Sequence, residues 1–326
     1  MAHDRGSPLV RVAAIDCGTN SIRLLVADVE AGGAGLRDLS REMRVVRLGQ
    51  GVDATGAFVP EAIDRTRVAL AEYVDIIGGL GGVDAVRMVA TSATRDAANR
   101  DLFFDMTSRL LEPVAAGAVA EVVTGDEEAR LSFAGAVGDL DPADGPFLVV
   151  DLGGGSTELV LGDGSGVSAA HSADIGCVRL TERCLASDPP TAAEIGAARE
   201  FVAERLAPAF AAVPVAQART WVGVAGTMTT IAAVAQDLPE YDPDRIHLSR
   251  IGFDALHDVC GRLVGMTRER RAAIGSMHPG RVDVIGGGSL VTAALADHIG
   301  AESGIDSLVV SEHDILDGIA LSLAVS

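Results

Sequence analysis

The sequence contains no lysine, so all 26 of its basic residues are arginines, and they are outnumbered by 46 aspartates and glutamates. The formal net charge is −20 at pH 7. A chain this acidic is repelled by nucleic-acid backbones and by anionic membranes, and we expect neither as a partner. An anionic ligand is compatible with this charge only if arginines, backbone amides or metal ions meet it locally.

Aromatic residues are also scarce, at 3% of the chain, whereas hydrophobic residues together make up 48%. The cores must therefore be built from alanine, valine, leucine and isoleucine. A length of 326 residues exceeds that of one average domain. We predict a soluble α/β protein with two domains.

The four cysteines form no CxxC pair, and neither they nor the histidines show the spacing of zinc ligands. No hydrophobic run approaches the roughly 18 residues of a membrane span. The amino-terminal segment lacks the apolar core of a signal peptide. These absences predict a cytoplasmic protein with free thiols, and a redox role for Cys17 is the minor alternative.

The strongest positive signal is an internal repeat. Ile15–Gly18 and Val150–Gly153 share one pattern, in which an apolar strand leads into an aspartate and a glycine. Each segment is followed by a short polar turn and a second apolar run. Both therefore predict a β-hairpin with an aspartate beside its turn.

Further matching segments follow in the same order in the two halves. They are Val46–Leu48 with Val178–Leu180, the helical stretches Glu61–Val74 with Glu194–Leu206, and the strand-to-turn segments Met88–Ser92 with Gly223–Thr227. Their common order predicts a duplicated domain, each copy with a hairpin, a third strand, a helix, a strand and a helix. Such an order gives a mixed sheet with helices on its faces.

The two hairpin turns have the composition of a phosphate site. Glycine and short hydroxyl residues let backbone amides approach phosphate oxygens, and an adjacent aspartate can hold a divalent cation. Neither turn is a Walker A loop, because the Gly-Lys-Ser/Thr of that motif is missing. A single hairpin of this kind is most often structural, but two at a repeat spacing favour phosphate binding.

Five segments together resemble the exopolyphosphatase and guanosine pentaphosphate phosphatase family, within the actin-like ATPase superfamily. They are residues 16–23, TSATRDAAN at 91–99, VVTGDEEARLSFAG at 122–135, DLGGGSTE at 151–158 and GVAGTMTT at 223–230. The resemblance implies two duplicated actin-like (ribonuclease H-like) α/β domains with the active site in the cleft between them. It assigns residues 1–125 and 312–326 to the first domain, because actin-like folds return their last helix to it, and residues 126–311 to the second.

The resemblance implies an exopolyphosphatase that releases terminal orthophosphate from inorganic polyphosphate, and we expect it to prefer short chains. Guanosine pentaphosphate 5′-phosphatase, with its link to the stringent response, is the close alternative. An actin-fold kinase or a nucleotide-dependent binding protein is a more distant one. The expected cofactor is Mg²⁺, with Mn²⁺ as the alternative, and the expected assembly is a homodimer.

Glu128 is the residue that the resemblance identifies as the catalytic glutamate. The surrounding sequence gives an independent reason, because Thr124 and Glu127 fit a capping box that opens a helix and leaves Glu128 for chemistry. The resemblance adds Asp151 and Glu158 as catalytic residues, and it implies that these two, with Asp16, hold the metal ion.

Phosphate oxygens are expected to be bound by the two turns, by a third glycine-containing turn and by one arginine. The expected set is Gly18, Thr19, Asn20, Ser21, Arg95, Gly153, Gly154, Gly155, Ser156, Thr157, Gly226 and Thr227. Arg95 is expected in the first turn of a helix, where a bound phosphate would bridge the arginine and the helix end. Pairing of Arg95 with Asp96 or Asp101 is the alternative.

The carboxyl-terminal third contains two motifs that imitate binding sites. Arg268–Arg271 reads RERR and predicts a solvated charged helix. Gly286–Ser289 reads GGGS, and the resemblance implies that it lies in a helix of the second domain without a phosphate role. Further on, Ile305–Val310 predicts a strand, and Ser311 and Asp314 predict the capped start of a final helix.

Overall fold

The computed structural model describes residues 9–30 and 35–324. Residues 1–8, on which the expected absence of a signal peptide partly rests, lie outside this description. The chain forms two compact units. Unit 1 runs to Val123 and resumes at Ile315, and unit 2 comprises Thr124–Asp314.

Both units combine β-strands with α-helices. The strands are β1 (Leu9–Cys17), β2 (Ser21–Glu30), β3 (Leu36–Val45), β4 (Ala85–Ala90), β5 (Glu121–Val122), β6 (Phe147–Leu152), β7 (Thr157–Asp163), β8 (Gly166–Ala173), β9 (Thr220–Val224), β10 (Ser249–Gly252) and β11 (Ser307–Val310). The helices are α1 (Val52–Thr55), α2 (Pro60–Gly79), α3 (Ser92–Asp96), α4 (Asp101–Leu111), α5 (Gly125–Ala136), α6 (Cys177–Cys184), α7 (Ala192–Ala212), α8 (Ala225–Ala235), α9 (Pro243–Ile246), α10 (Phe253–Gly265), α11 (Arg268–Ala272), α12 (Ile285–Ser303) and α13 (Ile315–Ala324). In the described ranges, none of these helices combines the length and the apolar character that a membrane crossing requires.

Unit 1 is built on a five-stranded mixed sheet with the strand order β3-β2-β1-β4-β5. β1 and β2 form the predicted antiparallel hairpin, and β4 runs parallel to β1. Both hairpin strands are buried over most of their length, because their residues are largely apolar. α13 packs on β1, β2 and β4, and its Asp317 accepts two hydrogen bonds from Arg41 of β3.

Unit 2 repeats this arrangement in a six-stranded sheet with the order β10-β11-β9-β6-β7-β8. β6 and β7 form the second hairpin, β8 continues it antiparallel, and β9 runs parallel to β6. β10 extends the far edge of the sheet by pairing antiparallel with β11. The common strand order confirms the predicted duplicated actin-like α/β fold.

The predicted segments fall on the expected elements with one exception. Val46–Leu48 and Val178–Leu180 were predicted as the third strand of each half, and this prediction is wrong for both: the first follows β3 as a loop, and the second lies in α6. The third strands are β3 and β8. The glycine-rich Gly286–Ser289 lies at the start of α12, as predicted.

The RERR segment departs from its prediction at one residue. It forms the short helix α11, and Arg268 and Arg270 are exposed, but only 3% of Arg271 is accessible to solvent. Its guanidinium donates hydrogen bonds to the carbonyls of Leu263 and Val264 at the end of α10. The prediction of a solvated helix is therefore wrong for Arg271, because the last carbonyls of α10 need donors that its own backbone cannot supply.

Candidate active site

The first helix of unit 2, α5, carries the predicted catalytic glutamate. The Thr124 hydroxyl accepts a hydrogen bond from the Glu127 amide at 3.2 Å, so the helix begins where the capping signal placed it. Glu127 is half-buried, whereas only 6% of Glu128 is exposed. The two adjacent glutamates thus have different environments, and Glu128 is the one that points into the protein.

The second hairpin places two further carboxylates opposite each other. Asp151 of β6 is paired with Glu158 of β7 in the strand register, and both side chains are buried. Burial raises the pKa of Glu158 well above its usual value, and the negative charges of Glu128 and Asp151 raise it further. Glu128, Asp151 and Glu158 therefore form one buried acidic cluster, which we call the carboxylate cluster.

Two serines that were not among the predicted site residues hold this cluster in place. Ser132 lies one helical turn after Glu128 on α5, and its hydroxyl donates a hydrogen bond to Asp151. Ser172 of β8 donates to Glu158 at 2.7 Å. The helical spacing of Glu128 and Ser132 is visible in the sequence, but the position of Ser172 depends on the pairing of β7 with β8.

The start of α5 lies against Ser172 with no room for a side chain. A Cβ atom added at Gly125 would lie 2.5 Å from the Cβ of Ser172. The glycine therefore lets the helix that carries Glu128 approach the strand whose serine binds Glu158.

The donor set of the carboxylate cluster suits a hard divalent cation. Carboxylate oxygens are the ligands that Mg²⁺ and Mn²⁺ prefer in proteins. Ionised Glu158 close to Glu128 and Asp151 is electrostatically unfavourable unless a positive charge compensates it, and a bound cation supplies that charge. The residues present fit a magnesium or manganese ion.

The turn of the second hairpin is fixed mainly through its carbonyl oxygens. Within the turn, the Gly153 amide donates to Ser156 O at 3.1 Å. The consecutive amides of Val178 and Arg179, in the first turn of α6, donate to Gly154 O. A Cβ atom at Gly176, just before α6, would lie 2.5 Å from Gly154, so the helix lies directly against the turn.

The turn of the first hairpin repeats these hydrogen bonds. The Gly18 amide donates to Ser21 O at 3.0 Å, and the consecutive amides of Val46 and Arg47 donate to Asn20 O. Val46 and Arg47 thus take the part that Val178 and Arg179 take in unit 2, although one pair lies in a loop and the other in a helix. The sequence match between these segments therefore reflects a shared contact and not a shared conformation.

The two hairpins differ in the residue opposite the aspartate. In unit 1, Asp16 is paired with Arg23 in the strand register, and Arg23 donates two hydrogen bonds to Asp16 Oδ2, at 3.0 and 2.7 Å. In unit 2 the corresponding pair is Asp151 and Glu158. The charge of Asp16 is thus compensated within its own hairpin, whereas that of Asp151 is not compensated by its cross-strand neighbour.

Other expected phosphate-binding residues have structural contacts as well. Arg95 is the fourth residue of the five-residue α3, so it lies in the predicted first turn and also in the last turn, and it donates a hydrogen bond to Val123 O at 3.0 Å. A cation at that end of a helix is favourable in itself. The Thr157 hydroxyl donates to Ile175 O at 2.6 Å, so its contribution to phosphate binding would come from its backbone amide.

The strand-to-helix turn at Gly226 and Thr227 has an arginine beside it. Arg281 donates hydrogen bonds to Gly226 O and to the Thr230 hydroxyl. Arg179 has a similar position at the second hairpin turn, where its Nε donates to Gly155 O at 2.8 Å. Neither arginine was predicted as a site residue. Arg179 lies in the repeated segment Val178–Leu180, and Arg281 lies in no recognisable motif.

Cys17 shows no sign of a reactive thiol. Its side chain is buried at the end of β1, and burial, with the charge of Asp16, raises the pKa of its thiol well above the usual value. A thiol that stays protonated is a poor nucleophile. All four cysteines lie in the described residues and are free.

Comparison with known proteins relates this arrangement to one family. A model of the Ppx/GppA phosphatase family matches residues 25–323. Among curated proteins, Exopolyphosphatase 2 of Mycobacterium tuberculosis is 63% identical over 318 residues, which cover 97% of this chain and 99% of that protein.

Solved structures show the same similarity in three dimensions. The crystal structure of an exopolyphosphatase-like protein has a TM-score of 0.90 and 44% identity, and the match covers 97% of this chain and 98% of that one. An exopolyphosphatase from Cytophaga hutchinsonii has a TM-score of 0.84 and 25% identity, with 96% and 97% of the two chains covered.

Proposed function

The chain belongs to the Ppx/GppA phosphatase family, and from that premise we propose that it is an exopolyphosphatase, which releases terminal orthophosphate from inorganic polyphosphate. The observation that carries the proposal is the buried carboxylate cluster of unit 2. It combines a glutamate on a helix with two carboxylates that suit a divalent cation. These are the groups that hydrolysis of a phosphoanhydride needs, because its catalysis rests on positioning and on neutralising charge.

Glu128 is the proposed general base. It orients a water molecule and takes a proton from it as the water oxygen attacks the terminal phosphorus. The phosphoanhydride P–O bond breaks, and the products are orthophosphate and a chain shorter by one phosphate. Burial of Glu128 excludes bulk water, which makes this electrostatic environment more effective.

Asp151 and Glu158 are the proposed ligands of Mg²⁺, or of Mn²⁺ in its place. When bound, the cation neutralises phosphate charge and polarises the phosphoryl group. Asp16 of unit 1 is a further proposed ligand of the cation. Arg23 already donates hydrogen bonds to one of its carboxylate oxygens. We assign the stronger role to the pair in unit 2, since its hairpin holds no such arginine at the matching register position.

Phosphate binding is assigned to backbone amides and arginines. In support, the small residues of both hairpin turns let backbone amides approach phosphate oxygens. The Gly18 and Gly153 amides already donate to Ser21 O and Ser156 O, so these two glycines contribute the shape of each turn, and the proposed amide donors are those of residues 19–21 and 154–157. Gly226, Thr227 and Arg95 complete the proposed set.

A preference for short polyphosphate, a cytoplasmic location and a homodimer complete the proposal. Guanosine pentaphosphate is the alternative substrate, because its hydrolysis needs the same groups and adds a guanosine contact. A phosphate-release assay distinguishes the candidates by comparing short polyphosphate, long polyphosphate, guanosine pentaphosphate and ATP. Fastest release from guanosine pentaphosphate would replace the main proposal with its alternative.

The two adjacent glutamates of α5 provide a matched pair of variants. Glu128→Ala is expected to lower turnover by about 10²–10⁴-fold, the usual contribution of a general base, with the fold intact. Glu127→Ala is expected to leave turnover near the wild-type value and to cost about 1 kcal/mol of stability through a weakened helix start. Steady-state kinetics and denaturant unfolding measure both effects, and exchanged phenotypes would contradict the assignment of Glu128.

A further inference from the structure

Two histidines and an aspartate of unit 2 lie together outside the carboxylate cluster. Asp139 follows α5, His247 lies between α9 and β10, and His313 follows β11. They are far apart in the sequence, so the expectation that no histidine has ligand spacing holds along the chain but not in space. Their ligand atoms all lie within 4.8 Å of one another.

Asp139 is the centre of the group. Its Oδ2 lies 2.6 Å from Nδ1 of His313 and 3.5 Å from Nε2 of His247. The two imidazole rings are tilted by 45° to each other, with their centroids 4.6 Å apart. One carboxylate oxygen therefore lies close to a ring nitrogen of each histidine.

These three side chains are the donors that zinc selects. Zinc binds imidazole nitrogen and carboxylate oxygen at about 2.0–2.2 Å, which puts tetrahedral ligand atoms roughly 3.3 Å apart. The distance from Asp139 Oδ2 to His247 Nε2 is already close to that value. The distance from Asp139 Oδ2 to His313 Nδ1 has to lengthen by less than about 1 Å. Two imidazoles favour zinc over magnesium, whose preferred ligands are oxygens.

The backbone around the group is fixed. His313 N donates to Ser311 Oγ at 3.1 Å, and that hydroxyl donates to His313 O. Glu312 N donates to Nδ1 of His247 at 3.2 Å, and the Glu312 carboxylate accepts a hydrogen bond from Tyr241 at 2.6 Å. Zinc at Nε2 of His247 moves the ring proton to Nδ1, so binding breaks the bond from Glu312 N and leaves the other contacts intact.

We propose that Asp139, His247 and His313 form a zinc site that is separate from the carboxylate cluster, with a water molecule as the fourth ligand. The bound ion would link the segment after α5 to the residues that lead into α13. Since the three ligands come from segments that meet only in the folded chain, binding would stabilise the native state.

The test is metal binding by the full chain, with Zn²⁺ and with Co²⁺ as a spectroscopic probe. Excess Mg²⁺ is present throughout, so that carboxylate-only sites are occupied. His257 provides the matched control, because its Nε2 lies 3.2 Å from Asp297 and this pair belongs to no three-ligand group among the residues that the structure describes. We expect wild type and His257→Ala to bind equally, and His313→Ala and Asp139→Asn to bind at least tenfold more weakly.

Thermal unfolding gives a second readout that does not depend on enzyme activity. Zn²⁺ is expected to raise the Tm of wild type and of His257→Ala but not that of Asp139→Asn, a change at an exposed residue that leaves folding intact. Circular dichroism checks the fold of each variant. Equal Zn²⁺ affinity and equal Tm shifts in wild type and Asp139→Asn would overturn the proposal, whatever becomes of the assigned phosphatase reaction.

Discussion

Arg23 and Glu158 occupy the same position in two copies of one hairpin and differ in charge. Each lies opposite an aspartate in the strand register. Arg23 neutralises Asp16, whereas Glu158 adds a second negative charge beside Asp151. After duplication, one hairpin thus carries its own positive charge, and the other needs one from outside.

Glu158→Gln is expected to stabilise the protein in the absence of divalent cations at neutral pH. The pKa of Glu158 is raised above its usual 4.5, mainly by burial, so the folded state keeps a proton that the unfolded state loses. The stability contributed by that proton is present below about pH 4.5 and is lost as the pH rises through the folded-state pKa. The loss is about 1.4 kcal/mol for each unit by which the folded-state pKa exceeds the unfolded-state pKa.

Denaturant unfolding in excess chelator at about pH 5 and about pH 8 measures this effect. Wild type is expected to lose more stability over this interval than Glu158→Gln. Glu194 is the control of opposite sign, because hydrogen bonds from Thr191 hold its pKa at about 2, and Glu194→Gln should destabilise the protein at neutral pH. A wild type and a Glu158→Gln variant with the same pH dependence would contradict the account of Glu158.

Ser132→Ala is expected to weaken Mg²⁺ binding by about 10–100-fold, because its hydroxyl orients Asp151. The activating Mg²⁺ concentration should rise accordingly, with little change in the KM for polyphosphate. Ser168→Ala is the matched control, since this serine hydroxyl donates to a backbone carbonyl in the same sheet and to none of the three carboxylates. Mg²⁺ titrations of activity compare the two variants. Equal activating Mg²⁺ concentrations in both would show that Ser132 does not position Asp151.

At the scale of elements, periodic apolar patterns and local signals were sufficient to predict most of the fold. The hairpins, α2, α7 and the start of α5 each follow from a few neighbouring residues. Contacts made by residues distant in the sequence were not predictable in this way. Arg271 depends on where α10 ends, and Ser172 depends on the register of β7 and β8, so a reading of local pattern assigns neither its role.

The residues of the candidate site also fall into two groups, those that local sequence predicts and those whose contacts depend on distant parts of the chain. Asp151 and Glu158 lie in one recognisable hairpin, and Glu128 follows a capping signal. By contrast, Arg179 and Arg281 make their contacts because α6 and the segment before α12 pack against the turns. Local sequence does not encode that packing. The grouping of His247 with His313 also exists only in the folded chain.

Gly125→Ala is expected to lower stability by about 1–3 kcal/mol, the usual cost of overpacking. The new methyl group would push the start of α5 away from Ser172, so turnover should fall as Glu128 moves with the helix. Gly138→Ala is the control, because a Cβ atom there has open space around it, just beyond the other end of α5. Denaturant unfolding and kinetics report the two effects, and a Gly125→Ala variant that behaves like Gly138→Ala would refute this reading of the helix start.

At the scale of the whole molecule, a net charge of −20 opposes the approach of a long polyanion. Long-range repulsion of this kind is screened by salt. We expect a higher kcat/KM for polyphosphates of a few units than for long chains, with a difference that narrows as ionic strength rises. Competition assays across chain lengths at two salt concentrations test this, and equal or faster processing of long chains at low salt would exclude it.

The position of α13 has a consequence for how the protein is made. This helix comes after all of unit 2 in the chain, yet it packs on β1, β2 and β4 of unit 1. During translation, the strands of unit 1 leave the ribosome first, and the helix that covers them leaves after all of unit 2. Unit 2 can therefore finish folding before unit 1. Until α13 is made, the apolar face of the unit 1 sheet that α13 covers stays exposed in the nascent chain, and a chaperone would bind there.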